Sequence, residues 1–160
     1  MPRLRSTVAV VALAGLTMTI ALVLASQAAA GGASKASWAA AANKACAASY
    51  AKVEALPRVT TPDLAIADLR AVVRLAKQLT HQLSQIPAPP SERSTVGQLL
   101  KLAISGNSIV EQQLVPAVLM DDQVAVARYS TQASQIGARF NAVARALGAR
   151  ICAENPAPSA

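Results

Sequence analysis

A chain of 160 residues with 53% apolar but only 2% aromatic side chains has room for one core built from Ala, Leu, Val and Ile, and is too short for two domains once an export segment is set aside. Its formal charge of +7 favours anionic partners, yet the scarcity of aromatic stacking groups argues against nucleic acid. One histidine and two cysteines exclude a multi-histidine metal centre and a histidine-based acid and base pair, so no cofactor or metal is expected.

The N-terminus has the three parts of an export signal in order. Arg3 and Arg5 form a basic start, Val8 to Ala25 is an almost uninterrupted apolar run, and Ser26-Gln27-Ala28-Ala29-Ala30 supplies small residues for a peptidase. Residues 1–30 are therefore expected to be a signal peptide, cleaved after Ala28 or Ala30. The apolar run of roughly 18 residues also suffices to span a bilayer, so the alternative is an uncleaved anchor through residues 8–25 with its basic end inside. Either way the expected location is extracytoplasmic, secreted or in the cell envelope.

Residues 31–36 read as a flexible lead-in. Ser34 or Ser37 can cap a first helix through Trp38, Ala42, Cys46, Tyr50 and Val53 to Leu56, and Pro57 ends it. Thr61-Pro62-Asp63 starts a second, with threonine as cap, proline in the first helical position and aspartate at the positive end of the dipole. There Leu69, Val72, Ala76, Leu79, Leu83 and Ile86 alternate steps of three and four, the spacing of a helix packed nearly parallel or antiparallel to its neighbours. Pro87-Ala88-Pro89-Pro90 is a stiff break, after which Ser91 is expected to cap a third helix reaching about Met120. Asp121 or Asp122 starts a fourth, carrying Tyr129, Ala133, Ile136, Phe140, Val143, Leu147 and Ile151. The tail 155–160 holds two prolines and is expected to be disordered.

The predicted fold is all-α. Short connections favour antiparallel neighbours, so residues 37–154 are expected to form an antiparallel up-down four-helix bundle. Its first and last helices then lie side by side, as a Cys46–Cys152 disulfide requires. In an oxidising compartment two lone thiols are expected to join, closing a loop of about a hundred residues worth roughly 4 to 5 kcal/mol in the chain-entropy model. An unbroken fourth helix would turn Cys152 about 120° from its apolar stripe, so either Gly148 loosens the last turn or the bond joins the flanks of the two helices.

Two clusters merit functional attention. Asn107 falls near the centre of the third helix's stripe of Val96, Leu99, Ala103, Val110 and Leu114, and a buried amide needs partners. Glu111, Thr80 and Ser49 are the candidates. Asn107 either fixes register, as a polar core residue does in coiled coils, or marks with Glu111 a small polar cavity beside a helix kinked at Pro116. The second cluster is basic. Arg70, Arg74 and Lys77 share one face of the second helix with His81, an ordinary solvated histidine, and Arg128, Arg139 and Arg150 recur at eleven-residue steps, nearly three whole turns, along the fourth. Without Arg3 and Arg5 the balance is thirteen basic against eight acidic residues, a net +5. An anionic envelope polymer, lipid head groups or an acidic protein would suit that face.

Trp38-x-x-x-x-Asn43-x-x-Cys46 on the first helix, a Leu-rich second helix ending in a Pro-rich break, and Leu147-Gly148-x-x-x-Cys152 at the close resemble uncharacterised exported all-helical proteins of high-GC actinobacteria. The resemblance covers most of the processed chain. It implies a disulfide between the terminal helices and transfers no activity. No nucleophile motif, phosphate loop or zinc spacing is present, so the chain reads as a non-catalytic binding or interaction module. The alternatives are a small-ligand carrier with a cavity near Asn107, or a membrane-tethered structural protein.

Overall fold

The structure is a computed structural model and describes residues 33–57 and 62–154. The expected signal segment, the Thr61 cap and the tail 155–160 lie outside the described residues. Within them every regular element is helical.

Helix α1 (Lys35–Glu54) begins where the serines predict. The Ser34 hydroxyl accepts from the Ser37 backbone N–H at 3.1 Å and the Ser37 hydroxyl accepts from the Ser34 N–H at 2.9 Å, a reciprocal capping box. Its buried face is Trp38, Ala39, Ala42, Cys46 and Ser49, at helical spacing. Helix α2 (Pro62–Gln85) opens on proline, whose missing N–H costs nothing in the first turn. Val73 and Leu83 are its most buried apolar side chains, while Leu69, Val72, Ala76 and Leu79 are half-buried. The deeper stripe is shifted from the simple heptad reading because α2 packs against α1 and against the following helix, and must bury two faces.

A 3-10 turn (Pro90–Glu92) precedes α3 (Arg93–Ile109), and here an expectation fails. Ser91 caps nothing. Pro90 opens the turn one residue earlier, the Glu92 N–H bonds to the Pro89 carbonyl at 2.9 Å, and Ser91 is enclosed in the turn. Glu92, at the cap position of α3, makes no capping bond. Its carboxylate instead meets Lys35 at 3.4 Å, tying the start of α1 to this corner.

A π-helical turn (Val110–Leu114) joins α3 to α4 (Val115–Leu119), with right-handed helical backbone at both junctions. Pro116 explains it. In a regular helix its ring would clash with the carbonyl of Gln112, and the widened turn, in which the Val115 N–H reaches back to the Val110 carbonyl, relieves that crowding.

Helix α5 (Gln123–Ala146) starts at Asp122, whose carboxylate accepts from the Ala125 N–H at 2.9 Å, after a tight corner at Asp121 with φ +53. It does not continue through Ile151 as expected. Gly148 adopts φ +82, the Gly148 N–H bonds to the Arg145 carbonyl at 3.0 Å and the Ala149 N–H to the Ala144 carbonyl at 2.9 Å, a Schellman termination. The chain then makes one more turn, α6 (Arg150–Ala153). This reorientation exposes Ile151, expected on the apolar stripe, and carries Cys152 inward.

Trp38, Ala42, Cys46, Leu83, Val96, Leu99, Ala144, Leu147 and Cys152 form one buried cluster. These residues come from the first two-thirds of α1, the end of α2, the start of α3, the end of α5 and α6. Cys46 and Cys152 are bonded with Cα atoms 5.2 Å apart, and both are essentially inaccessible. Helix α1 packs on α2 and on α6, α2 on α3, and α3 most extensively on α5.

Candidate functional site

Helix α3 packs closely on both α2 and α5, whereas α2 and α5 do not approach each other as tightly. Among these three helices lies an open groove of about 230 Å³, whose lining is half-buried except for the buried Leu83. Ala76, Leu79, Thr80 and Leu83 of α2 form one wall. Leu102, Ala103, Gly106 and Asn107 of α3, with Val110 of the π turn, form a second, and Ala133, Ile136, Gly137 and Phe140 of α5 a third. The space exists because small residues stand at helical spacing on α3 and α5. At Gly137 an added Cβ would meet nothing within 4 Å, so no close packing demands glycine there.

The polar group in this lining is a connected pair. Thr80 donates its hydroxyl proton to the Ala76 carbonyl at 2.8 Å, one turn back on its own helix. The Asn107 side-chain amide then donates to the Thr80 oxygen at 3.2 Å. Of the partners expected for Asn107, Thr80 is the one in contact. Glu111, expected to share the cavity, does not line it. It points outward and both its carboxylate oxygens accept from the Lys77 Nζ at 3.1 Å. Lys77, across on α2, is the partner that holds it there. The Lys77–Glu111 pair straps α2 to that turn beside Ala76 and Val110, both of which line the cavity.

The six basic residues are not drawn into one site. Arg70, Arg74 and Arg139 are exposed. Lys77 is engaged with Glu111, and Arg128 lies over the Tyr129 ring at 4.6 Å with a hydrogen bond to its hydroxyl at 2.7 Å. Arg150 follows the left-handed Gly148, so the eleven-residue register expected to align it with Arg128 and Arg139 stops short of it. Among the described residues no three His, Cys, Asp or Glu side chains gather to hold a metal ion, and no helix is long and apolar enough to cross a membrane.

Two residues outside the expected sites turn out to organise the disulfide end. The Asn43 carbonyl oxygen accepts from the Ile151 N–H at 2.9 Å, capping α6 from across the interface, and its amide donates to the Gly148 carbonyl at 3.4 Å. The Tyr50 hydroxyl donates to the Cys152 carbonyl at 3.0 Å, and burial raises its pKa above the ordinary 10.0. Asn43 was visible in the sequence three residues before Cys46, although its partners lie more than a hundred positions away.

No protein-family model matches the chain, and neither a curated protein nor a solved structure matches it.

Proposed function

We propose that the protein is a non-catalytic extracytoplasmic binding module, an antiparallel up-down four-helix bundle that holds a small ligand in the cavity around Asn107. The observation that carries this reading is the cavity itself. Its walls present contiguous apolar surface around a single hydrogen-bonded polar pair, the composition of small-molecule sites. An engineered apolar cavity of about 150 Å³ is enough to bind benzene, so about 230 Å³ suits a somewhat larger molecule. The buried disulfide and the export segment support an oxidising compartment. Retention of residues 8–25 would tether the same module to the membrane, and the mass of the processed protein separates the two.

Native mass spectra of the exported protein are expected to show a noncovalent adduct, or to acquire one from small apolar probes. Gly137→Leu, which projects a side chain into open space, is expected to abolish binding while circular dichroism stays helical. Wild-type protein that takes up no small molecule, or a Gly137→Leu variant that binds as well as wild type, overturns the reading.

A further inference from the structure

We infer that the surface around α6 docks on an anionic lipid membrane, with Arg145 and Arg150 taking a headgroup phosphate. The inference draws on the export segment in the reading above and not on the groove around Asn107, so the two stand or fall separately.

The surface is built from three helices. Asn43 bonds to Gly148 and Ile151 across the interface, which sets that turn of α1 against α6, and Lys44 is the next residue along, exposed. Arg145 stands in the last turn of α5 and Arg150 opens α6, with the left-handed Gly148 folding the chain between them. Both arginines are exposed and line one surface hollow with Ala153 and Glu154. Neither they nor Lys44 form an ion pair among the described residues, where the pairs use Lys35 and Lys77. Three cations against the single carboxylate of Glu154 leave an excess positive charge. Two guanidinium groups on one hollow suit an anion with several acceptor oxygens, which a phosphate is.

A lipid source is favoured by what stands beside the arginines. Ile151, next to Arg150, is 39% exposed, and an apolar side chain flanked by cations is the composition of surfaces that lie in the headgroup region. The corner between α4 and α5 makes the contrast. Its exposed Leu119, Met120 and Val124 stand beside Asp121 and Asp122, which an anionic surface would repel. The course of the chain agrees. Ala39, in the second turn of α1, stands 3.4 Å from the Cβ position of Gly148, so the chain enters the bundle beside this surface. Residues 26–34 join it to the apolar run 8–25 and reach at most about 30 Å. While that run is in the lipid during export, the α6 surface is held close to headgroups, and a short tether raises the effective concentration for a weak electrostatic contact.

The test measures binding of the exported, oxidised protein to phosphatidylglycerol vesicles and to phosphatidylcholine vesicles by sedimentation. The readout is the ratio of the two affinities, to which a retained apolar run contributes alike on both lipids. Each net charge at an anionic surface is worth roughly fivefold, so phosphatidylglycerol is expected to be favoured about twentyfold at low salt, less as salt screens the charges. Arg145→Gln/Arg150→Gln is expected to bring the ratio near parity. Arg70→Gln/Arg74→Gln, the same loss of charge on the exposed face of α2, is expected to change it by less than about threefold, because those charges lie away from the docked surface. Glu154→Gln is expected to raise the ratio roughly fivefold, a gain that a misfolded variant cannot imitate. Equal binding of wild-type protein to both lipids overturns the inference, and so does an Arg70→Gln/Arg74→Gln loss as large as that of Arg145→Gln/Arg150→Gln, which would report net charge alone. Soluble polyphosphate that binds through Arg145 and Arg150 while the two lipids bind alike overturns the lipid assignment in favour of an anionic polymer.

Discussion

Asn43 holds two backbone groups of a chain segment that has no cap of its own. Ala149 at the cap of α6 makes no side-chain bond, and the Asn43 side-chain oxygen Oδ1 takes the Ile151 N–H at 2.9 Å. Asn43→Ala would remove that cap at a solvent-exposed bond, so a loss of about 0.5 to 1 kcal/mol in urea unfolding is expected, with Asn43→Asp recovering most of it because the carboxylate still accepts. Equal stability of the alanine variant would mean that water substitutes for the cap. Tyr50 makes the complementary bond to the Cys152 carbonyl. Its hydroxyl is raised in the folded state by desolvation, so the folded protein retains the proton at a pH where the unfolded chain releases it. Its contribution is complete below the unfolded value near 10 and is lost as pH rises through the folded value. Stability between neutral and strongly alkaline pH is therefore expected to fall less steeply in Tyr50→Phe than in wild type, as thermal melts across that range would read.

Helix ends with chemical punctuation were legible from the sequence. Ser34, Pro57 and Asp122 act through bonds or rings within three or four residues of themselves, and each stands where local rules place it. What the sequence left open needed neighbours to decide it. Ser91 lost its capping role to the adjacent Pro90, which opens the turn, Glu111 is drawn to Lys77, 34 residues away, and Gly148, one of two expected ways of bringing Cys152 inward, takes a conformation that glycine permits without requiring. Two glycines make the contrast testable. Gly148 sits at φ +82 with a virtual Cβ 3.4 Å from the Ala39 Cβ, so Gly148→Ala is expected to cost at least about 1 to 2 kcal/mol. Gly137 lies inside α5 with open space around it, so Gly137→Ala is expected to stabilise the unliganded protein by about 0.5 to 1 kcal/mol. Denaturant midpoints measured side by side would show opposite signs. A destabilised Gly137→Ala would mean that the cavity wall is tighter than its geometry indicates.

The molecule divides its packing unevenly along its length. Trp38, Leu83, Leu99, Leu147 and the disulfide close off the end where α1 and α3 begin and α2 and α5 finish, and the cavity begins one to two turns away, where Leu79 and Leu83 pass from core to lining. Asn107 was found in the sequence as a polar residue on an apolar stripe, with a small polar cavity as one of its two readings; the largely apolar walls that α2 and α5 supply were not, because they depend on how three helices fail to fill a space. Dense packing at one end lets the looser middle persist without separating the helices. The disulfide spans 106 residues, worth about 4 to 5 kcal/mol in the chain-entropy model, against a total of roughly 5 to 15 kcal/mol for a domain. Cys46→Ala/Cys152→Ala is expected to lose a large part of its stability, seen as a lower urea midpoint for the emission of Trp38, the chain's single tryptophan, which lies 1% exposed in this cluster. With Cys46 and Cys152 at 0% and 1% exposure, a thiol reductant cannot reach the sulfurs in the folded state. Reduction in native buffer should therefore proceed at the unfolding rate and accelerate with urea in parallel with it. A reduction rate that is fast and indifferent to urea would instead mean that α6 (Arg150–Ala153) opens by itself, and that the Asn43 and Tyr50 bonds hold it less firmly than their geometry implies.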